Sequence, residues 1–113
     1  MALMAVAFPI PPGKTEQWLE FTAELKGARN AEYVASRKKL GVHERTFLQH
    51  TPHGDMVIVT LEGENPAAAF AAFGQGTDEF TRWFVGQAKE IHGIDLTQPP
   101  PGPMPSLIVD SHK

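Results

Sequence analysis

The chain has 113 residues, is 42% hydrophobic and 20% charged, carries a formal net charge of −3 and contains no cysteine. That size and balance suit one small globular domain, and the acidic charge leaves no electrostatic footprint for nucleic acid or an anionic membrane. Without cysteine, disulfides, thiolate nucleophiles and cysteine metal sites are excluded, and the chain suits a reducing, cytoplasmic setting.

Residues 2–8, ALMAVAF, form a compact apolar run that PIPPGK ends. With no basic n-region and too few apolar residues to cross a bilayer, the run predicts a first strand, not a signal peptide or anchor. Residues 15–39 predict one long helix stopped by Gly41, with Gly27 inside it at a cost of about 1 kcal/mol relative to Ala. Its closing basic run, Arg37-Lys38-Lys39, suits the negative end of the helix dipole. Residues 42–50 and 56–62, separated by the turn chemistry of TPHGD, predict a hairpin.

Asn65 and Pro66 have the character of an N-cap and first helical residue, and open a short helix. Thr77 caps a further helix over 78–91 that Gly93 stops. Its apolar face is Phe80, Trp83, Phe84 and Ile91, with Gln87 among them. The stretch TQPPPGPMP reads as a stiff, extended connector, and SLIVD after it as a fourth strand.

The order is therefore βαββαβ, the split βαβ arrangement of a ferredoxin-like α+β fold with an antiparallel sheet. Residues 1–96 form the core, 97–105 the connector, and 106–113 a strand and tail that complete the same domain. The first and third strands are apolar on both alternating faces. Helices cover one sheet face, and a second subunit is the economical cover for the other, so a homodimer is expected. The Pro-rich arm folding across part of that face is the competing explanation.

One stripe poses a question. Trp18, Phe21, Leu25 and Ala28 recur at helical spacing, but the next positions are Arg29, Glu32 and Ser36, with Tyr33 and Arg37 beside them. Charged groups facing a core are unfavourable unless paired or solvated. A polar pocket between this helix, the last helix and the sheet is one reading. A solvated overhang and an Arg29–Glu32 pair at a subunit contact are the others. His92, in EIHG, either favours the helix C-terminus or reaches the pocket as a general acid/base. Tyr33 would hydrogen-bond a carbonyl or phenol, Arg29 or Arg37 would hold a carboxylate or enolate, and Glu32 would orient. Ser36, His43, Trp83 and Gln87 complete the expected lining, although His43 also fits the mixed polarity of an edge strand. His50, His53 and Asp55 cluster at the hairpin turn without a metal-site spacing, so no metal is expected.

The stretches PPGKTEQW, AEYVASRKKLGVHERTFLQHTPHGD, TDEFTRWF and KEIHGIDL resemble the dimeric α/β-barrel superfamily, which includes antibiotic-biosynthesis-monooxygenase-like domains, and within it a small bacterial branch. The resemblance covers most of the chain and implies a homodimer that binds a small organic molecule. Members include cofactor-free quinone-forming oxygenases, haem-degrading enzymes, polyketide cyclases, isomerases and proteins with no known activity, so fold does not select a reaction. The Asn, Trp and His of the haem-degrading members are not matched in place by Asn30 and Trp83. The Tyr and His of the cyclases lie on other elements than Tyr33 and His92. The expectation is a binder of an aromatic or carbonyl compound, either with cofactor-independent acid–base or oxygenation chemistry or as a noncatalytic ligand-binding or interaction domain.

Overall fold

A computed structural model describes residues 2–99 and 104–112. The elements run β1 (Ala2–Ile10), α1 (Thr15–Lys26), α2 (Asn30–Leu40), β2 (Val42–Thr51), β3 (Gly54–Gly63), α3 (Pro66–Ala72) and α4 (Glu79–His92). The strands form one sheet in the order β1-β3-β2, with β3 antiparallel to both neighbours. Strands β1 and β2 are therefore parallel and separated by β3, which is the split βαβ unit. The protein is thus an α+β fold with a three-stranded antiparallel sheet and four helices.

Register fixes which side chains share a face. Val6, Val59 and Thr46 lie level across the three strands, as do Phe8, Val57 and Leu48, and Met4, Leu61 and Glu44. This is the inner face. Val57 and Leu61 at its centre are 2% and 0% exposed, because the helices pack on them. The alternate residues look outward: Leu3 and Phe47 are 47% and 53% exposed there.

Local signals explain the punctuation. The hairpin turns through Pro52 and His53, with the Thr51 hydroxyl donating to the Gly54 carbonyl (2.6 Å) and accepting from the His53 amide. Asn65 caps α3 by accepting from the Ala68 amide. Asp78, not Thr77, caps α4, accepting from both the amide and the hydroxyl of Thr81. Gly41 and Gly93 end α2 and α4 at φ 76° and 72°, the left-handed geometry that favours glycine.

Two expectations are corrected. The single helix over 15–39 is two helices, broken at Gly27–Arg29. The Arg29 amide reaches back to the Glu24 carbonyl (2.8 Å) and the Asn30 side chain donates to the Leu25 carbonyl (3.0 Å), so the last turn of α1 is satisfied without continuing. The break shifts the helical phase, and the inward positions of α2 are Tyr33, Ser36, Arg37 and Leu40, with Glu32 on the outside. Residues 106–110 are not a strand. Met104 packs against the core, but Leu107, Ile108 and Val109 are 60%, 83% and 81% exposed. A β-prone segment is realised only against a sheet edge, and within one chain this segment meets none. Of the connector, residues 100–103 lie outside the described residues.

Candidate functional site

The helices do not fill the space above the sheet. A partly open cavity of about 450 Å³ lies between the inner face and the helix layer, within the range of small-molecule sites. Strands contribute Phe8, Val57, Val59 and Leu48 to its walls, α1 contributes Trp18 and Phe21, and α4 contributes Phe84 and Ile91. The walls are mostly apolar. Thr22, Lys26 and Asn30 enter the lining from the α1–α2 side, and the other polar groups gather in two places.

The first is on β2 and α2, where Glu44, Thr46 and Tyr33 line the cavity. Glu44 Oε1 accepts from Arg37 Nε at 2.5 Å, and Glu44 Oε2 accepts from the Thr46 hydroxyl at 3.1 Å. Both partners of the ion pair are almost completely buried, with side-chain exposures of 7% for Arg37 and 6% for Glu44. Arg37 does not itself reach the cavity. Its guanidinium lies against Phe73 (4.1 Å), Phe84 (4.6 Å) and Tyr33 (5.1 Å), and Nη1 donates to Ser36 Oγ. Nη2 is buried with no hydrogen-bond partner among the described residues, and the aromatic faces are its compensation. Burial first, and then the negative charge of Glu44, push the Tyr33 phenol well above its ordinary value. Tyr33 therefore keeps its hydroxyl proton at this end, close to Glu44 and Thr46.

The second is His92, the last residue of α4. Its Nδ1 lies 3.1 Å from the Pro9 carbonyl, and its ring lies 5.6 Å from Phe8. A carbonyl can only accept, so Nδ1 carries the proton and Nε2 is the free acceptor in the neutral ring. Burial lowers the pKa of His92, opposed more weakly by the Pro9 bond, so the neutral ring is favoured. The sign for stability follows. The unfolded chain binds this proton more tightly, so stability is intact above the ordinary histidine pKa of about 6.5 and falls as the pH drops through the folded value. We expect Tm to fall between pH 7 and pH 5 more steeply in the unmodified protein than in His92→Gln. Equal slopes in parallel thermal melts would contradict the buried neutral ring.

The two polar ends are not neighbours. Glu44 is level with Met4 on the far edge strand, whereas His92 sits beside Phe8 and Pro9. Two strand spacings separate them across the sheet, about 10 Å, and four residues along it, about 14 Å. The cavity thus runs diagonally, with an acceptor at each end.

The expected site residues therefore divide. Tyr33 and His92 line this one cavity, and Arg37 with Ser36 supports its Tyr33–Glu44 end. Arg29, Trp83 and Gln87 instead line a separate, shallower depression with Glu20 and Glu24. There Arg29 makes a two-pronged pair with Glu79 (2.9 and 3.3 Å), touches Glu32 (3.4 Å) and lies 4.3 Å over the Trp83 ring. The Arg29 guanidinium is thereby committed within the chain, and it holds the Glu79 carboxyl below its usual range. His43 is exposed on the outer face, one residue out of phase with Glu44. Glu44 and Thr46 were missed as site residues. Alternation places them on the face opposite His43, Arg45 and Phe47, but a lone Glu on an edge strand reads as a solvated residue until Arg37 is seen to turn inward. At the hairpin tip, His50 Nδ1 pairs with Asp55 Oδ1 (2.7 Å) and Thr15 donates to Asp55 Oδ2 (2.6 Å), tying the turn to the start of α1. Among the described residues no group of three or more His, Cys, Asp or Glu could hold a metal ion, and no helix is long and apolar enough to cross a membrane.

Compared with protein-family models, curated proteins and solved structures, the chain matches none.

Proposed function

We propose that this chain is a small-molecule-binding protein whose ligand is an elongated, largely aromatic compound that donates a hydrogen bond at each end. The observation that carries the reading is the apolar cavity with acceptors at opposite corners, Glu44 and His92 Nε2. The expected clamp by Arg29 or Arg37 has no support from the site: Arg29 is paired elsewhere and Arg37 is spent on Glu44 behind the wall, which leaves Lys26 as the basic side chain in the lining. A ligand hydroxyl at the Glu44 end meets a carboxylate already neutralised by Arg37, with the Tyr33 phenol beside it to donate to a carbonyl. At the other end, neutral His92 accepts a proton at Nε2. Cofactor-independent acid–base chemistry on a conjugated phenol or enol is the reaction class this suits, with His92 taking the hydroxyl proton at one end and Tyr33 donating to a carbonyl conjugated with it at the other.

The resemblance to the dimeric α/β-barrel superfamily agrees with this reading and with a cytoplasmic homodimer. An apolar patch on the outer sheet face supports the dimer: Leu3, Ala7 and Phe47 are exposed there, beside the half-buried Ala5, Met56 and Ile58, and the patch is bordered by the Arg45–Glu62 pair, His43 and Gln49. A sheet face of this character is ordinarily covered in a folded protein.

trans-4,4′-Dihydroxystilbene, long enough to reach towards both ends of the diagonal, is compared with its monomethyl and dimethyl ethers by titration calorimetry. We expect affinity to fall about tenfold for each capped hydroxyl, since each cap leaves a buried acceptor without its donor. Equal affinities for all three would refute the acceptor assignment, and no binding by any of them would count against the aromatic class.

A further inference from the structure

The segment that fails to form a fourth strand coincides with a sheet edge that has no partner. In β1 the Pro9 carbonyl points away from β3, because it accepts from His92. Backbone direction alternates along a strand, so the amides and carbonyls of Leu3, Ala5 and Ala7 point the same way, along the free edge. Among the described residues none of them has a backbone partner outside the β1–β3 ladder. Beyond Pro9, whose carbonyl His92 takes, the edge also lacks the usual protection. Residues 2–10 carry no charge, whereas the opposite edge strand, β2, carries Glu44 and Arg45 along with His43 and His50. Edge strands of natural proteins are normally blunted by charge or covered.

The candidate cover is on the same chain. Met104 is seated on the core, and from that foothold Ser106–Asp110 runs off with Leu107, Ile108 and Val109 60–83% exposed. Three consecutive β-branched or aliphatic residues left in water form a strand waiting for an edge. The chain's own β1 edge is available to it and is not taken.

We infer that the C-terminal segment Ser106–Asp110 pairs with the β1 edge of a second copy of this chain, so that two copies exchange arms about a two-fold axis. The exchange rests on the homodimer proposed above and extends it. Reciprocal pairing closes after two copies, satisfies the free backbone groups of both edges and buries both apolar arms.

The absence of native cysteine makes the test direct. Ile108→Cys is combined in turn with Leu3→Cys, Ala5→Cys and Ala7→Cys, the chains are oxidised, and the products are read on a non-reducing gel and by peptide mass. We expect at least one combination to give a covalent dimer whose linked peptides contain position 108 and a β1 position. Mixing the two single variants should give the same link, and either single variant alone should not. Deleting residues 106–113 should weaken dimerisation at least about 1,000-fold, as the loss of three buried aliphatic side chains from each arm implies. A link within one chain, or no link while the unmodified protein has the mass of a dimer, would overturn the exchange and leave the dimer standing. An unmodified protein that is a monomer at tens of micromolar by native mass would overturn both.

Discussion

Replacing Arg37 with Ala should destabilise the protein by about 3–5 kcal/mol, because it leaves the Glu44 carboxylate buried without its cation. For a chain of this length the corresponding fall in Tm is roughly 15 °C. The same substitution strips the guanidinium from between Phe73, Phe84 and Tyr33, so lost packing adds to the electrostatic loss. The control is the double variant Arg37→Met, Glu44→Leu. It removes both charges and fills similar volume, and should recover most of the stability, since a buried ion pair adds little over apolar residues of the same shape. Thermal melts of the single and double variants decide the matter. A fall of only a few degrees in Arg37→Ala would mean that water reaches Glu44 and that this end of the cavity is not dry.

The double variant should behave differently in binding. Without Glu44 the cavity loses one acceptor, so the stability returns and the affinity for a dihydroxylated aromatic does not. That separation is informative, because it distinguishes a pair kept for packing from one kept to present a carboxylate.

Filling the cavity should have the opposite signature. Ala88 lies on α4, is 9% exposed and lines the cavity wall. In a close-packed core, Ala→Phe would force side chains off their rotamers and destabilise by about 1–3 kcal/mol. Here the ring has vacant space to enter, so Tm should stay within a few degrees of the unmodified value or rise. Affinity for trans-4,4′-dihydroxystilbene should fall at least 100-fold, because the ring and the ligand compete for the same volume. A large loss of stability with binding intact would mean that the space beside Ala88 is not the ligand site.

Much of this fold was legible in the sequence, for identifiable reasons. The strand of 2–8, the hairpin and the last helix were marked by continuous apolar runs, turn residues and caps, which are local signals. The break at Gly27 was not. Glycine in a helix is only weakly unfavourable, and the contacts that end α1 come from Asn30 and Arg29, whose roles emerge only once the chain bends. That bend decided the site. It moved Arg29 outward to meet Glu79 and Trp83, left Glu32 on the outside touching Arg29, and turned Arg37 inward onto Glu44. Of the polar stripe, Tyr33 lines the cavity and Arg37 lies behind its wall on Glu44, whereas Arg29 and Glu32 lie away from it. Its partner, Glu44, was hidden because the pairing joins positions on different elements. The fourth strand misled because strand propensity in SLIVD speaks to the segment and not to the edge it needs.

In the proposed function, the ligand lies in the cavity between the sheet and the helices, with Glu44 and His92 at its two ends. Amide chemical-shift mapping with trans-4,4′-dihydroxystilbene tests this most directly. The amides of Tyr33, Thr46, Val59, Ile91 and His92 should move together with one dissociation constant, while those around Arg29 and Gln87 stay in place. Shifts confined to the depression beside Trp83, or to the exposed outer face of the sheet, would contradict it.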